Sequence, residues 1–580
     1  MLISPLGGIQ SWRKRFNLLT NYPATRYYVD ATLGNDANDG KTPDLAWQTV
    51  AKVNGETFNP GESILFKRGE TWREQLTVPS SGASGKFITF GAYGSGNRPI
   101  ISGADIITGW TVDGGSYSAA VATEPHIVIY DGTVLTENDG ATNTVGVNEW
   151  DWNANELWVN VGEDPDDGIA ESGARDTVIL LNSRVYVWIK DMHLYGANSA
   201  GDGTVDWNGQ TGASNHVLSG LAVENGAGYG VRIYNSSNNT VRDCTISELI
   251  CGVQFVITAG GQTATNNSIT NNDISDCART GIDVWGFDTT ERATNHSITE
   301  NTVANCGSAI YLHRCDSTTI ANNTVLDIDS IAVGAEGLGV GVQTGSSNVI
   351  ENNEIGRAWN RGIELWAGGA PDGPSTANII RYNEIYDNGD QAKMTAEGGG
   401  IFIGADTVTN TQIYYNLIYD NDGSANFIEY GIFGTGTGHT IYNNVLYNNY
   451  RGIAPWEADA DNWHIKNNIV MNSVQRHILA VAGVVADYDY NLYYPDGAAM
   501  FEWAGVTYNY AGWLLNSAQD GNSPVVADPV FVNPGADDFH LQAGSPARNV
   551  GTDVSLTRDY DEVAVPQETN PAIGAYEYVP

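Results

Sequence analysis

Basic residues are scarce in this chain. Twenty-eight Lys and Arg stand against 68 Asp and Glu in 580 residues, a net charge of −40. Such a surface repels nucleic-acid phosphates and anionic membranes, so neither is an expected partner. It also repels polyanionic glycans unless bound cations or a local basic patch intervene, so the acidity leans towards a neutral substrate or towards calcium. Cysteine is sparse too. Cys244, Cys251, Cys277, Cys306 and Cys315 are an odd number, which makes no disulfide framework, and each reads as a small apolar residue. No apolar run reaches membrane-spanning length. The opening MLISPLGGIQSWRKRFNLLT places Arg13-Lys14-Arg15 after its short apolar stretch, which is not the order of a secretory signal. The expectation is an extracellular or virion-associated protein, either a mature chain or one that leaves its cell by another route.

Helical periodicity is missing from about residue 180 to 485, and a repeat stands in its place. One segment, I-x-x-N-x-I, recurs as SITNNDIS, SITENTVA, TIANNTVL, VIENNEIG, IIRYNEIY, QIYYNLIY, TIYNNVLY and HIKNNIVM. Its Asn column is Asn272, Asn301, Asn323, Asn353, Asn383, Asn416, Asn444 and Asn468, spaced 29, 22, 30, 30, 33, 28 and 24 residues apart. One coil of a parallel β-solenoid takes about that many residues. Asn suits a sharp turn because it tolerates left-handed backbone, and its amide can bond to the Asn one rung away. A second segment alternates with the first: GVRIY, GVQFV, GIDVW, AIYLH, GVGVQ, GIELW, GIFIG, GIFGT and GIAPW. Its period of two predicts a strand with one buried and one exposed face.

The pattern predicts an all-β, single-stranded right-handed parallel β-helix. Residues 1–25 read as an N-terminal extension and 26–110 as an N-terminal cap with the first coils. Residues 111–180 read as a β-rich insertion, 181–486 as the solenoid core, and 487–580 as a C-terminal β cap where the Asn period is lost. Caps are needed because an open solenoid end exposes strand edges. Ala46 to Val53 reads as a short amphipathic helix, and GNDANDG as a turn, since it lacks EF-hand spacing.

The opening YYVDATLGNDANDG and GESILFKRGETW, the repeats, and the closing FHLQAGSPARNVG, DYD and IGAYEY resemble the pectate-lyase-like parallel β-helix superfamily. That superfamily includes polysaccharide lyases, glycoside hydrolases, uronate epimerases and viral tailspike depolymerases. The resemblance implies the fold and a polysaccharide substrate. Neither the paired aspartates of polygalacturonases nor a clear calcium cluster of pectate lyases is present, so no catalytic residue carries over.

Candidate chemistry is read from the strand columns instead. The third position runs Arg232, Gln254, Asp283, Tyr311, Gly341, Glu364, Phe402, Phe433 and Ala454. The fifth runs Tyr234, Val256, Trp285, His313, Gln343, Trp366, Gly404, Thr435 and Trp456. Asp283, Trp285, Tyr311, His313, Gln343, Glu364 and Trp366 are expected to form one exposed patch. Trp285 and Trp366 would stack on sugars, with Gln343, Arg232, Gln254 and Arg314 binding hydroxyl or carboxylate groups. Gly341 is expected to leave a gap where a sugar ring lies close to the backbone.

Asp283 and Glu364 are three rungs apart, about 14 Å, too far for a glycosidase pair. Glu336 and Glu397, on loops entering the neighbouring rungs, are better partners for Glu364. A crowded acidic trio would raise one pKa and set an acid beside a base, and it is also of a kind that binds calcium. β-Elimination would instead use Tyr311 and His313 as base and acid, with charge from Arg232, Arg314, Arg361 or Lys393. The leading expectation is a glycan-cleaving enzyme, hydrolysis slightly ahead of elimination because the columns are richer in acids and Trp than in bases. A non-catalytic glycan-binding adhesin and a C5-epimerase are the alternatives, with the chain a monomer or a homotrimer.

Overall fold

The computed structural model describes residues 25–138, 145–207, 214–330, 332, 334–368, 373–390, 393, 398–421 and 429–579. The expected extension lies almost wholly outside these. The described chain winds into a right-handed parallel β-helix. A 15-stranded parallel sheet runs from Arg26–Val29 to Ala486–Asp489, roughly 67 Å at the usual inter-strand spacing. A second sheet of 27 strands bends around a corner and supplies the other two faces. Thr245–Val256 and Asp273–Trp285 each pass through that corner as one continuous strand.

β-Branched residues fill the interior in register. Ile269, Ile298, Ile320, Ile350, Ile380, Ile413, Ile441 and Ile465 form one stack, and all are buried. Each contributes on the order of 2 kcal/mol by leaving water. The glycine that opens the repeated strand has a packing reason. A Cβ on Gly362 would meet the Ile385 side chain at 2.6 Å and the Gly400 carbonyl at 2.9 Å.

The Asn column points inward and is buried. Asn272 Nδ2 donates to Asn301 Oδ1 at 2.9 Å, Asn301 to Asn323 at 3.0 Å, and the relay runs unbroken to Asn468. Each Oδ1 also accepts the backbone N–H of the Asn one rung before. Left-handed backbone falls on the residue preceding each ladder Asn, at Asn271, Glu300, Asn322, Asn352, Tyr382, Tyr415, Asn443 and Asn467, and not on the Asn itself. The inward amide must keep strand geometry to reach its neighbours, so the preceding residue makes the bend.

The ladder continues past 486. Asn491 accepts from Asn468 at 3.1 Å, then donates to buried Asp520 at 3.2 Å. Asp520 also accepts from Tyr493, Trp513 and Ser523. Stacking thus reaches Phe501–Trp503, the last interval of the ladder being 23 residues.

At the first coil, helix Val50–Asn54 is N-capped by Thr49, and Trp47 stacks on Tyr27 at 4.9 Å. The GNDANDG acids are used in turns there: Asp36 accepts from Gln48 and Thr49. At the far end helix Tyr510–Ser517 places Trp513 against Phe501 at 5.5 Å. Phe531, Phe539, Ile573 and Tyr576 then pack along the flank on Tyr414, Tyr415 and Tyr419. Two small sheets, mostly antiparallel, interrupt the early coils between Ala104–Ile106 and Ala170–Gly173, with their own core of Trp110, Trp150, Leu157 and Val159. Among the described residues no helix is long and apolar enough to cross a membrane. All five cysteines are free and buried.

Candidate functional site

Strand register decides which side chains share the groove. Arg232 pairs with Gln254, Gln254 with Asp283, Asp283 with Tyr311, Tyr311 with Gly341, Gly341 with Glu364, and Glu364 with Phe402. Beside them Trp285 pairs with His313, His313 with Gln343, and Gln343 with Trp366. Trp285, His313 and Trp366 thus lie on one face.

The groove floor is not the open surface expected of the columns. Asp283 is 8% exposed, Glu364 9% and His313 5%, while Trp366 stands out at 39%. Side chains shelter one another along the rungs. Arg232 Nε donates to Gln254 Oε1 at 2.8 Å, and Gln254 Nε2 to Asp283 Oδ2 at 2.8 Å. Trp285 Nε1 donates to the other Asp283 oxygen, and the Trp285 ring meets His313 edge-on at 4.3 Å. Tyr311 donates its hydroxyl to Gln343 Oε1 at 2.7 Å. The expected gap at Gly341 is filled: a Cβ there would lie 2.6 Å from the Tyr311 ring, which leans across it. Gly404 likewise lies under the Trp366 ring. In both cases the missing side chain seats an aromatic of the preceding rung.

Three carboxyl groups sit in different electrostatic surroundings. Burial pushes Asp283 up to about 6, against the pull of its Gln254 and Trp285 hydrogen bonds and of Arg279 and Arg232. Glu364 is ion-paired to Arg361. Glu336 stands on the rim, but its carboxyl reaches the Tyr311 hydroxyl. Desolvation and then the Glu364 charge raise its pKa, opposed by Tyr311, Arg361 and Arg279. Tyr311 is itself held well above the ordinary phenol range, by burial first and then by Glu336, Glu364 and Asp283. A carboxyl raised by burial beside one paired to an arginine is an arrangement that can hold an acid next to a carboxylate. Glu397 lies outside the described residues, so the third member of the acidic trio is not placed. Among the described residues no three His, Cys, Asp or Glu side chains converge as metal ligands.

Two expected residues fall away from the floor. Arg314 follows the strand in left-handed conformation and donates to the Phe287 carbonyl at 3.1 Å, bracing a neighbouring loop. Lys393 lies beside Asp329 and Asp390, in a side cleft with Arg357 and Trp359. Two contributors escaped the sequence reading. Arg361 is the partner of Glu364, although the sequence offers it only as a charge for elimination. Arg279 stands exposed at the strand mouth, against the Gly334 loop that carries Glu336. Its signal was available: the same register position holds Gly307, Gly337, Asn360 and Gly398 in later coils, so Arg279 is the one charged residue among them.

Residues 290–470 match the family model of the right handed beta helix region, and residues 197–334 match that of NosD, a periplasmic copper-binding protein. The chain is a right-handed parallel β-helix protein. This β-helix is 23% identical over 498 residues to a lacto-N-biosidase of Bifidobacterium longum subsp. longum, covering 79% of its own length and 28% of the relative's. Among solved structures it is similar to the GH136 lacto-N-biosidase of Eubacterium ramulus, at 15% identity over 76% of this chain and 65% of that one, with a TM-score of 0.39. It is similar also to pectate lyase Pel9A, at 14% identity over 96% and 97% of the two chains, with a TM-score of 0.36.

Proposed function

We propose that this β-helix hydrolyses glycosidic bonds, with Glu336 as general acid and Glu364 as the ionised carboxylate partner. The observation that carries the reading is the placement of two neighbouring carboxyls, Glu364 ion-paired to Arg361 and Glu336 raised by burial and by the Glu364 charge. Glu364 keeps a guanidinium against it, and its negative charge helps hold the proton on Glu336. Glycosidases need that division of labour: one carboxyl donates to the leaving oxygen while the other acts on the anomeric carbon or on its water. Exposed Trp366 offers a ring face to a sugar, and the Gln343 amide offers a hydrogen bond to a hydroxyl. The relative's lacto-N-biosidase name agrees in class with a glycoside hydrolase. A polysaccharide substrate agrees with a working site outside the cytoplasm.

Elimination on a uronate is the second reading, favoured by one observation. Arg279 is exposed beside Asp283 and Glu336, whose charges it favours, and its guanidinium is of the kind that takes a substrate carboxylate. Against it, Tyr311 faces three carboxyls that oppose its ionisation and make it a poor base. The test is incubation with neutral and uronate-containing polysaccharides. New reducing ends without ultraviolet absorbance of an unsaturated uronate support hydrolysis. Reducing ends with that absorbance overturn it in favour of elimination, and binding without either product makes the protein an adhesin.

A further inference from the structure

The groove changes character one rung beyond Glu364. From Gln254 to Glu364 the outward column is polar or glycine. From there it runs Phe402, Phe433 and Ala454, in unbroken register. These side chains face away from the solenoid core, yet they are buried, Phe433 to 1% exposure. Outward-facing residues are buried only when something stands against them, and among the described residues these rings pack against one another. Phe402 and Phe433 lie 4.5 Å apart, and Tyr430 stacks on Phe433 at 4.4 Å. The Arg361 guanidinium lies 4.0 Å over the Phe402 ring. Arg451 closes the far side by donating to the Tyr430 hydroxyl at 2.6 Å. Leu479, Val481 and Trp456 complete the cluster.

This cluster is a wall, and its position relative to the carboxyls matters. It begins one rung from Glu364, about 4.8 Å, close to the advance of a single pyranose unit. The groove is also bounded at its other end. There Arg232 is wedged between the Tyr229 and Tyr234 rings at 4.3 and 4.8 Å and bonds the Gly201 carbonyl. The polar floor between these limits spans four rung intervals, roughly 19 Å, enough for about four sugar units and not for a long chain running through. Arg361 serves both features at once, holding the Glu364 carboxylate and roofing Phe402.

We propose that the Phe402–Phe433–Tyr430 wall makes the site a blind groove that receives the end of a glycan chain, so that cleavage at Glu364 is exo-acting and releases a short product of one or two units. The inference rests on the Glu336–Glu364 reading for its catalytic half, while the recognition of chain ends stands on the wall alone.

The experiment has two arms. In the first, the intact protein is incubated with xylan, galactan, arabinan, polygalacturonate and alginate, and products are resolved by chromatography while viscosity is followed. The expected result is one short product from the earliest time, with viscosity nearly unchanged. A ladder of intermediate oligosaccharides with an early fall in viscosity overturns the proposal. Phe402→Ala, which opens the wall without touching the solenoid core, should lose the single-product pattern and release longer fragments. In the second arm the Glu364→Gln protein is titrated calorimetrically with the same polymers, each at two chain lengths and equal mass. Binding that doubles when the chains are halved supports end recognition, even if no polymer is cleaved and the hydrolytic reading fails. Binding that follows mass and ignores chain number, or no binding to any of the polymers, overturns it.

Discussion

Glu364 carries the sharpest consequence of a single side chain. Glu364→Gln preserves shape and leaves an oxygen to accept from Arg361, but it removes the charge. If Glu364 acts on the anomeric centre or its water, turnover should fall at least ~100-fold, the usual scale of general acid–base catalysis. Its ion pair is largely sheltered, so some stability goes with it, about 1 kcal/mol for one weakened charge-assisted hydrogen bond. That is too little to unfold the protein, and a thermal melt should stay cooperative. Glu336 gives a different signature. A general acid must be protonated, so kcat/KM should fall as pH rises through its raised pKa. Glu336→Gln should abolish that alkaline limb along with most of the turnover. A variant with an unchanged pH profile would transfer the acid role to Asp283, the other carboxyl with a raised pKa, at about 6.

At the scale of the coil, the Asn ladder is the element most open to test. Replacing Asn353 by Ala removes the Oδ1 that accepts from both the Nδ2 and the backbone N–H of Asn323, and strips the Ile320 carbonyl of a donor. With Asn383 Oδ1, which accepts from the Asn353 Nδ2, four buried polar groups would lose a partner, each at about 1–3 kcal/mol. Urea denaturation should show a loss on the order of 5 kcal/mol, and a shift under 1 kcal/mol would make the ladder ornamental. The ladder was legible because it is one residue type at one interval, and the strand columns were legible because a period of two leaves a single register compatible with an apolar core. What could not be read was how neighbouring side chains share space. Tyr311 and Trp366 lean over Gly341 and Gly404 because aromatic rings reach across a rung, and a list of columns contains no lean. Arg361 opens its strand three residues before Glu364, where alternation alone does not reveal that the two curl together. The left-handed position was placed one residue late, since the Asn is conspicuous and the bend beside it takes Tyr382 and Tyr415 as readily as Asn.

For the whole molecule, buried histidines define the acid limit of stability. His216, His296 and His439 occupy inward turn positions that other coils give to Asn, and each accepts a backbone N–H through Nδ1. His477 is buried near the last coils, bonded to Ser473 and the Pro495 carbonyl. Burial lowers all four to about 4, whereas an unfolded His titrates near 6.5. Between these values the unfolded chain binds more protons than the folded one, so stability falls as pH drops from about 6.5 to 4. Each histidine contributes on the order of 3 kcal/mol to that loss. Asp283 and Asp559 work the other way, since burial raises both to about 6 and folding then favours their protonation, which offsets part of the histidine effect. The alkaline limit has another origin. His540 bridges Asp538 and Asp561 at 2.6 and 2.7 Å, and these bonds raise it to about 9. Its contribution is complete below about 6.5 and is lost as pH rises through 9, which should loosen the flank segment from Phe531 to Tyr576 before the coils. Melting temperature against pH should therefore form a dome with separable limbs. His439→Asn supplies the residue that neighbouring coils use in the same slot, so it should keep the fold and shallow the acid limb by one proton's worth of slope. His540→Gln should remove the alkaline limb and leave the acid one untouched. Equal change of both limbs in either variant would mean that the molecule titrates as one diffuse charge and not through these sites.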